Sequence, residues 1–255
     1  MKDRKRYPIS RIEIVGATDV GQKRLRNEDS FRIIQSDDCP DNIDGALIVA
    51  DGMGGHAAGD VASQIAVDTF VGEFEGFETK DAGDILVLIG DALIKANSLI
   101  YEAGRQNTSG SMGTTCTAAV ISRGKVHIAH AGDSRGYIQR DKELSQLTED
   151  HSWVAQLVRE GHITPEQARV HPNRNVITRA LGIDSELVPD IITEEIQTGD
   201  TILLCSDGLH GLVEDGDISE TLDDLAIQDA LDALIRLAND KGGDDNITAV
   251  AVAIH

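Results

Sequence analysis

A chain of 255 residues, 40% of them apolar, can bury a sizeable core, which excludes a disordered polypeptide or a disulfide-stapled miniature. Lys and Arg number 23 against 44 Asp and Glu, and the resulting charge of −21 repels nucleic-acid phosphates, while 3% aromatics leave few stacking platforms for single strands. Nucleic acid is therefore not expected as a partner, and three widely spaced cysteines, Cys39, Cys116 and Cys205, fit a reducing cytoplasm.

The N-terminal stretch from Met1 to Ser10 is charged with no apolar segment behind it, and no run of about 18 apolar residues occurs anywhere, so neither a secretion signal nor a membrane span is expected. Ile12 to Val15 and Ala46 to Ala50 read as short buried strands. Two amphipathic helical patterns follow with no strand between them, one on Val61, Ala62, Ile65, Ala66 and Phe70, the next from Ile85 to Ile100. Then come strand patterns at Thr114 to Ile121 and Val126 to Ala129. Ser152 to Arg174 breaks this rhythm as a small helical excursion from the sheets, with Trp153, Leu157 and Val158 on one face and Thr164-Pro165-Glu166-Gln167 as a capping box. Further strands are expected at Leu187 to Ile192, Thr201 to Cys205 and Ile247 to Ile254, with a helix from Ile227 to Ala238 and a solvated loop and helix start at Glu214 to Asp224. Helices and strands do not alternate as βαβ units require, so the fold class is α+β, antiparallel sheets covered by helices. Without a repeat or a Pro-rich linker, a single domain over residues 1–255 is expected.

One pattern recurs: an apolar run that ends in Asp-Gly, at Asp51-Gly52 and again at Asp207-Gly208. Such a strand delivers a carboxylate, and the glycine lets the backbone approach whatever the aspartate holds. Gly132-Asp133-Ser134-Arg135, Asp244-Asp245-Asn246 and Asn27-Glu28-Asp29 are further acidic turns beside apolar runs. Any one of them is ordinary turn chemistry. Five brought into one cleft would repel one another unless protons or cations neutralise them, and oxygen ligands without His or Cys favour Mg²⁺ or Mn²⁺ over Zn²⁺. The dispersal does not fit an EF-hand, whose ligands lie in one short loop. Gly54, Gly55 and Gly59 lack the Gly-Lys-Ser/Thr of a nucleotide loop. His127, His130 and His151 read as satisfied core or edge residues, and His56 as a loop histidine.

The ordered set Thr18-Asp19-Val20-Gly21 with Arg24, Asn27-Glu28-Asp29, Asp51-Gly52-Met53-Gly54-Gly55, Gly113-Thr114-Thr115, Gly132-Asp133-Ser134-Arg135, Val176 to Gly182, Ser206-Asp207-Gly208-Leu209 and Asp245-Asn246 resembles the bacterial type 2C, metal-dependent serine/threonine protein phosphatases. The resemblance implies a central β-sandwich of two antiparallel sheets flanked by helix pairs, with the excursion from Ser152 to Arg174 as the variable flap beside the metal centre. It implies hydrolysis of phosphoserine and phosphothreonine in proteins, opposing an intracellular Ser/Thr kinase, by a water activated between two Mn²⁺ or Mg²⁺ ions and attacking phosphorus in line. Carried over by position, Asp51 bridges the ions, the Gly52 carbonyl joins one of them, and Asp207 and Asp245 join the other. Glu28 and Asp29 support the centre through water, Asp133 with Asp207 forms a third, weaker metal position, and Arg24, with Arg26 as its rival, holds the substrate phosphate. Met53 stands where many relatives have a histidine, and Gly211 where many have an acid or amide. A non-catalytic phosphoprotein-binding or regulatory module on the same fold is the alternative.

Overall fold

The computed structural model describes residues 11–54, 58–74, 77, 82–106 and 112–255. In chain order they form β1 (Ile12–Asp19), β2 (Asp29–Ile34), β3 (Gly45–Gly54), α1 (Ala58–Phe74), α2 (Ala82–Gln106), β4 (Met112–Thr114), β5 (Cys116–Ser122), β6 (Lys125–Ala131), β7 (Arg135–Arg140) and β8 (Glu143–Gln146). Then follow α3 (Trp153–Arg159), α4 (Pro165–Arg169), β9 (Asp190–Glu195), β10 (Thr201–Cys205), α5 (Asp207–His210), α6 (Asp215–Asp224), α7 (Ile227–Asp240) and β11 (Ile247–Ile254). All named strand pairs are antiparallel, in two sheets ordered β1-β11-β10-β7-β8 and β2-β3-β5-β6-β9, with β4 joined to β3.

A run as uniformly apolar as Ala46 to Ala50 is what a strand covered on both faces requires. Leu47 and Val49 join the core between the sheets, with Ile202, Leu204, Val250 and Val252, while Ala46, Ile48 and Ala50 belong to the core formed with α1 and α2. On the opposite sheet, Leu203, Cys205, Ala249 and Ala251 pack with Leu231, Leu234 and Ile235 of α7 and with Ile218 of α6. Four layers result, a helix pair outside each sheet, as expected for the α-β-β-α sandwich. Among the described residues no helix is long and apolar enough to cross a membrane.

Four strands escape the apolar pattern. β7 is bounded by Arg135 and Arg140, yet its centre is buried, because Asp150 and Asp200 neutralise the two guanidinium groups. β8 is a short polar edge, β4 is a three-residue bridge separated from β5 by Thr115, and β2 carries polar residues at Asp29, Ser30 and Arg32. Glu214 to Asp224 is mainly helix, because Ile218 and Leu222 turn one face of the acidic segment into the core. Leu187 lies outside β9, buried against α1 and α2.

The flap is present as α3 and α4. Ser152 caps α3, accepting from the Ala155 N–H. Thr164 Oγ1 accepts from the Gln167 N–H (3.3 Å) while Gln167 Oε1 accepts from the Thr164 N–H (2.8 Å), which completes the expected box. The two legs of the flap meet where the Trp153 N–H donates to the Val176 carbonyl (2.8 Å) and the Thr178 N–H to that of His151 (2.7 Å).

Candidate metal centre

Strand register gathers the acidic turns at one end of the sandwich. Asp29 at the start of β2 lies opposite Asp51 in β3, and Cys205, which ends β10, lies opposite both Arg135 and Ala249. Asp207 therefore emerges beside the turn that carries Asp133 and the one that carries Asp245.

Three groups hold the Asp51 backbone. Its N–H donates to Thr115 Oγ1 (3.0 Å), and its carbonyl accepts from the Thr115 N–H and from Thr114 Oγ1 (2.9 Å each). Gly52 next to it packs face to face with Gly59 of α1. A Cβ on Gly52 would lie 2.1 Å from the Gly59 oxygen and 2.5 Å from that of Glu28, so only glycine lets helix and strand approach this closely.

Asn246 organises the opposite side. Buried at 3% exposure, it accepts the Glu28 N–H on Oδ1 (2.8 Å) and donates through Nδ2 to the carbonyls of Val20 (2.9 Å) and Arg26 (2.8 Å). One side chain thus fixes the whole loop from β1 to β2. Ser206 Oγ donates to Asp29 Oδ2 (2.8 Å) and accepts from the Thr248 N–H (3.0 Å).

Burial and mutual repulsion dominate the electrostatics of the cluster, and the nearby arginines offset them only in part. Burial pushes the Asp29 carboxyl up to about 7 and that of Asp207 up to about 6, with neighbouring Asp245 adding to both. Asp51 and Asp133 are raised well above the ordinary carboxylate range, first by burial and then by the surrounding acids, among them Asp207 for each. Burial also raises Glu28, against the pull of Arg24. Among the described residues, the buried oxygens Asp29 Oδ1 and Asp207 Oδ1 have no hydrogen-bond partner. Two orphaned oxygens among mutually repelling carboxylates fit a divalent cation, since a positive charge would satisfy both deficits. Among the described residues no three Asp, Glu, His or Cys side chains close a cage unaided, so carbonyl oxygen and water must complete any coordination.

Beside these acids opens a groove of about 720 Å³, walled by Val154, Ala155 and Val158 of α3, by Ala168 and Arg169 of α4, and by Asp133, Asp207 and Asp245. The flap and the acid cluster thus share one cleft.

The family model for protein phosphatase 2C matches residues 20–250. The chain belongs to the protein phosphatase 2C family. It is 39% identical to the serine/threonine phosphatase stp of Listeria monocytogenes over 92% of this chain and 93% of that protein. The solved structure of the serine/threonine phosphatase Stp1 from Staphylococcus aureus superposes with a TM-score of 0.91 at 35% identity and covers 100% of both chains. The catalytic domain of the phosphatase PstP in complex with two manganese ions gives a TM-score of 0.83 at 36% identity, over 95% of this chain and 98% of that one.

Within this phosphatase 2C chain the expected site residues converge. Glu28, Asp29, Asp51, Gly52, Asp133, Asp207 and Asp245 gather at one end of the sandwich, linked by the hydrogen bonds and mutual repulsions above, and Asp133, Asp207 and Asp245 of them line the groove. Arg24 lies there too, its guanidinium donating to Asp245 Oδ2 (2.6 Å). Arg26 contributes its carbonyl to Asn246. His127 bonds Thr193 Oγ1 (3.0 Å), and His130 bonds Thr117 Oγ1 (2.9 Å) and the Glu149 carbonyl (3.1 Å), so both are satisfied as expected. His56 and Gly55 lie outside the described residues. Met53 pairs with Gly113 in the β3–β4 bridge, and the Gly211 N–H closes α5 on the Asp207 carbonyl (2.8 Å). The positioning parts Asn246, Ser206, Thr114 and Thr115 carry no distinguishing signal in the sequence. Each belongs to a motif beside a site acid, but a neutral side chain gives no charge signal to single it out.

Proposed function

We propose that this chain hydrolyses phosphoserine and phosphothreonine monoesters in proteins at the acid cluster, with Asp51 central to a divalent-cation site and Arg24 holding the phosphate. One observation carries the reading: Asp133, which is buried, and Asp29, Asp51 and Asp207, which are partly buried, are gathered at one end of the sandwich, and among the described residues no Arg or Lys side chain hydrogen-bonds any of the four. Asp51, the Gly52 carbonyl, Asp207 and Asp245 would hold the two ions. Glu28 and Asp29 would act through water, and Asp133 with Asp207 would form a third, weaker position. Mn²⁺ and Mg²⁺ both suit this all-oxygen donor set. When bound, such ions supply a water of lowered pKa and offset the charge of the phosphate dianion.

The side chains do the rest. Arg24 is 48% exposed and bonded to Asp245, and its planar fork could hold two phosphate oxygens at the mouth of the site. Thr114, Thr115 and Asn246 keep Asp51 and Glu28 fixed while the ester changes geometry. Met53 has no proton to give, which leaves the departing serine or threonine oxygen to water in the cleft. Residues 1–255 would act as one catalytic unit, supported by the family match over 20–250. Its setting would be the cytoplasm, opposite a Ser/Thr kinase; the three buried cysteines are free thiols.

Turnover of p-nitrophenyl phosphate and of a phosphothreonine peptide with Mn²⁺ tests this. EDTA and Asp207→Ala are each expected to abolish it, and Arg24→Ala to lower kcat/KM by about 10²-fold. Wild-type protein that binds the peptide without turning it over would favour the non-catalytic module.

A further inference from the structure

The turn from Gly132 to Ser134 carries Asp133 into the cleft, and His151 holds it from behind. The Gly132 N–H donates to His151 Nδ1 (3.1 Å), and the His151 N–H donates to the Gly132 carbonyl (2.8 Å), so the two residues close a ring of reciprocal bonds. Gly132 has φ +125°, and a Cβ there would lie 2.5 Å from Thr115 Cβ. The turn is therefore wedged between Thr115, which positions Asp51, and His151.

An Nδ1 that accepts carries no proton, so the neutral ring bears its proton on Nε2, 3.0 Å from Asp190 Oδ2. Arg179 bonds the other Asp190 oxygen at 2.5 Å and lies 3.0 Å from Nε2, two donors meeting at one carboxylate. The imidazole is 6% exposed and stacks on His130 with ring centroids 4.8 Å apart. His151 is also the root of the flap: its carbonyl takes the Thr178 N–H of the returning leg, and Ser152 beside it caps α3. His130 offers a control within the same core, since its bonds go to Thr117 and Glu149 and none to the acidic turn.

We propose that His151 is a positioning residue: its imidazole, fixed by Asp190, sets the direction of the Asp133 carboxylate and couples the root of the flap to the cation position there. The proposal rests on the reading of Asp133 as a cation ligand. It assigns His151 a role beyond filling the core, through the single backbone N–H that precedes the ligand.

The test counts Mn²⁺ binding events by the electron paramagnetic resonance of free Mn²⁺, with thermal midpoints of the metal-free protein measured alongside. Asp133→Asn is expected to remove the weakest event. His151→Ala should weaken that same event by about 10-fold or more and leave the tighter ones in place. His151→Asn, whose Oδ1 can accept the Gly132 N–H, should regain most of the loss. Should His151→Ala fail to fold, Asp190→Asn carries the same expectation, because it keeps the ring and removes the charge that orients it. If Asp133→Asn removes the weak event while His151→Ala and Asp190→Asn only lower the thermal midpoint, His151 is a core residue and the proposal falls alone. If Asp133→Asn leaves every event intact, the reading of Asp133 falls and takes the proposal with it.

Discussion

Two sets of carboxylates in this fold, each wholly or partly withdrawn from solvent, behave in opposite ways. Asp150 receives three hydrogen bonds from Arg135 (2.7 to 3.1 Å), and Asp200, 1% exposed, receives two from Arg140 (2.6 and 2.9 Å). Burial pushes Asp150 up, but the bonds and charge of Arg135 outweigh it and leave the carboxyl below its ordinary range. Asp133, two positions before Arg135, has no such partner and is raised well above that range, as is Asp51. Where the fold needs a buried charge for structure, the chain provides the counter-ion. At the mouth of the sandwich Arg24 bonds Asp245, but among the described residues no arginine or lysine bonds Asp29, Asp51, Asp133 or Asp207, and that is where an external cation gains most.

Asp51→Asn should break the comparison most sharply, because it pulls activity and stability in opposite directions. Phosphatase turnover with Mn²⁺ is expected to fall by about 10³-fold or more if Asp51 is the central ligand proposed above. The metal-free protein should melt higher than wild type, because one of the repelling buried charges is gone. A lower melting point in EDTA would mean that the acids do not strain the empty fold. Asp150→Asn should do the reverse in stability, costing about 3 kcal/mol by leaving Arg135 largely buried without its anion, as read by denaturant unfolding. Loss below about 0.5 kcal/mol would show that this pair behaves like an exposed surface bridge.

The same contrast explains what could be read from the chain beforehand. Leu47, Val49, Val250 and Val252 announce a doubly covered sandwich by their uninterrupted apolar runs, and Asp51-Gly52 and Asp207-Gly208 announce the site because a charge at the end of such a run demands a partner. β7 was hidden, since Arg135 and Arg140 look like solvent-facing residues until their anions, 15 and 60 positions away, are brought beside them by the fold. Asn246 and Thr115 were hidden for a related reason. Their work is done through backbone N–H and carbonyl groups at long separation, such as Asn246 with Glu28 218 positions apart, and neutral hydrogen bonding leaves no periodicity or charge to detect.

A pH series in EDTA sharpens the comparison further. Asp29 at about 7 and Asp207 at about 6 in the folded chain both exceed the ordinary 3.8, so between about pH 4 and pH 7 the folded state binds more protons than the unfolded. Stability of the metal-free protein should therefore fall as pH rises through that window. Asp150 has the opposite sign: its contribution is present above its unfolded pKa and fades only as pH drops through its depressed folded value. Melting points in EDTA are expected to be lower at pH 7.5 than at pH 5, and Mn²⁺ should remove or reverse the difference. A metal-free melting point that rises from pH 5 to pH 7.5 would place the acids in a solvated cleft.

The smallest expected effect concerns the flap, which touches the groove without belonging to either charge set. α4 spans five residues, none of them buried, so the Thr164–Gln167 box and not packing holds its first turn. Thr164→Ala should cost about 1 kcal/mol, confined to that helix. The Ala168 N–H, which donates to the Thr164 carbonyl at 3.0 Å, should exchange faster with solvent, while turnover of p-nitrophenyl phosphate stays at the wild-type rate. A fall in the global melting point of several degrees would instead mean that α4 unfolds with the sandwich. The flap would then belong to the same cooperative unit as the paired charges, and the division between a rigid frame and an adjustable wall would be lost.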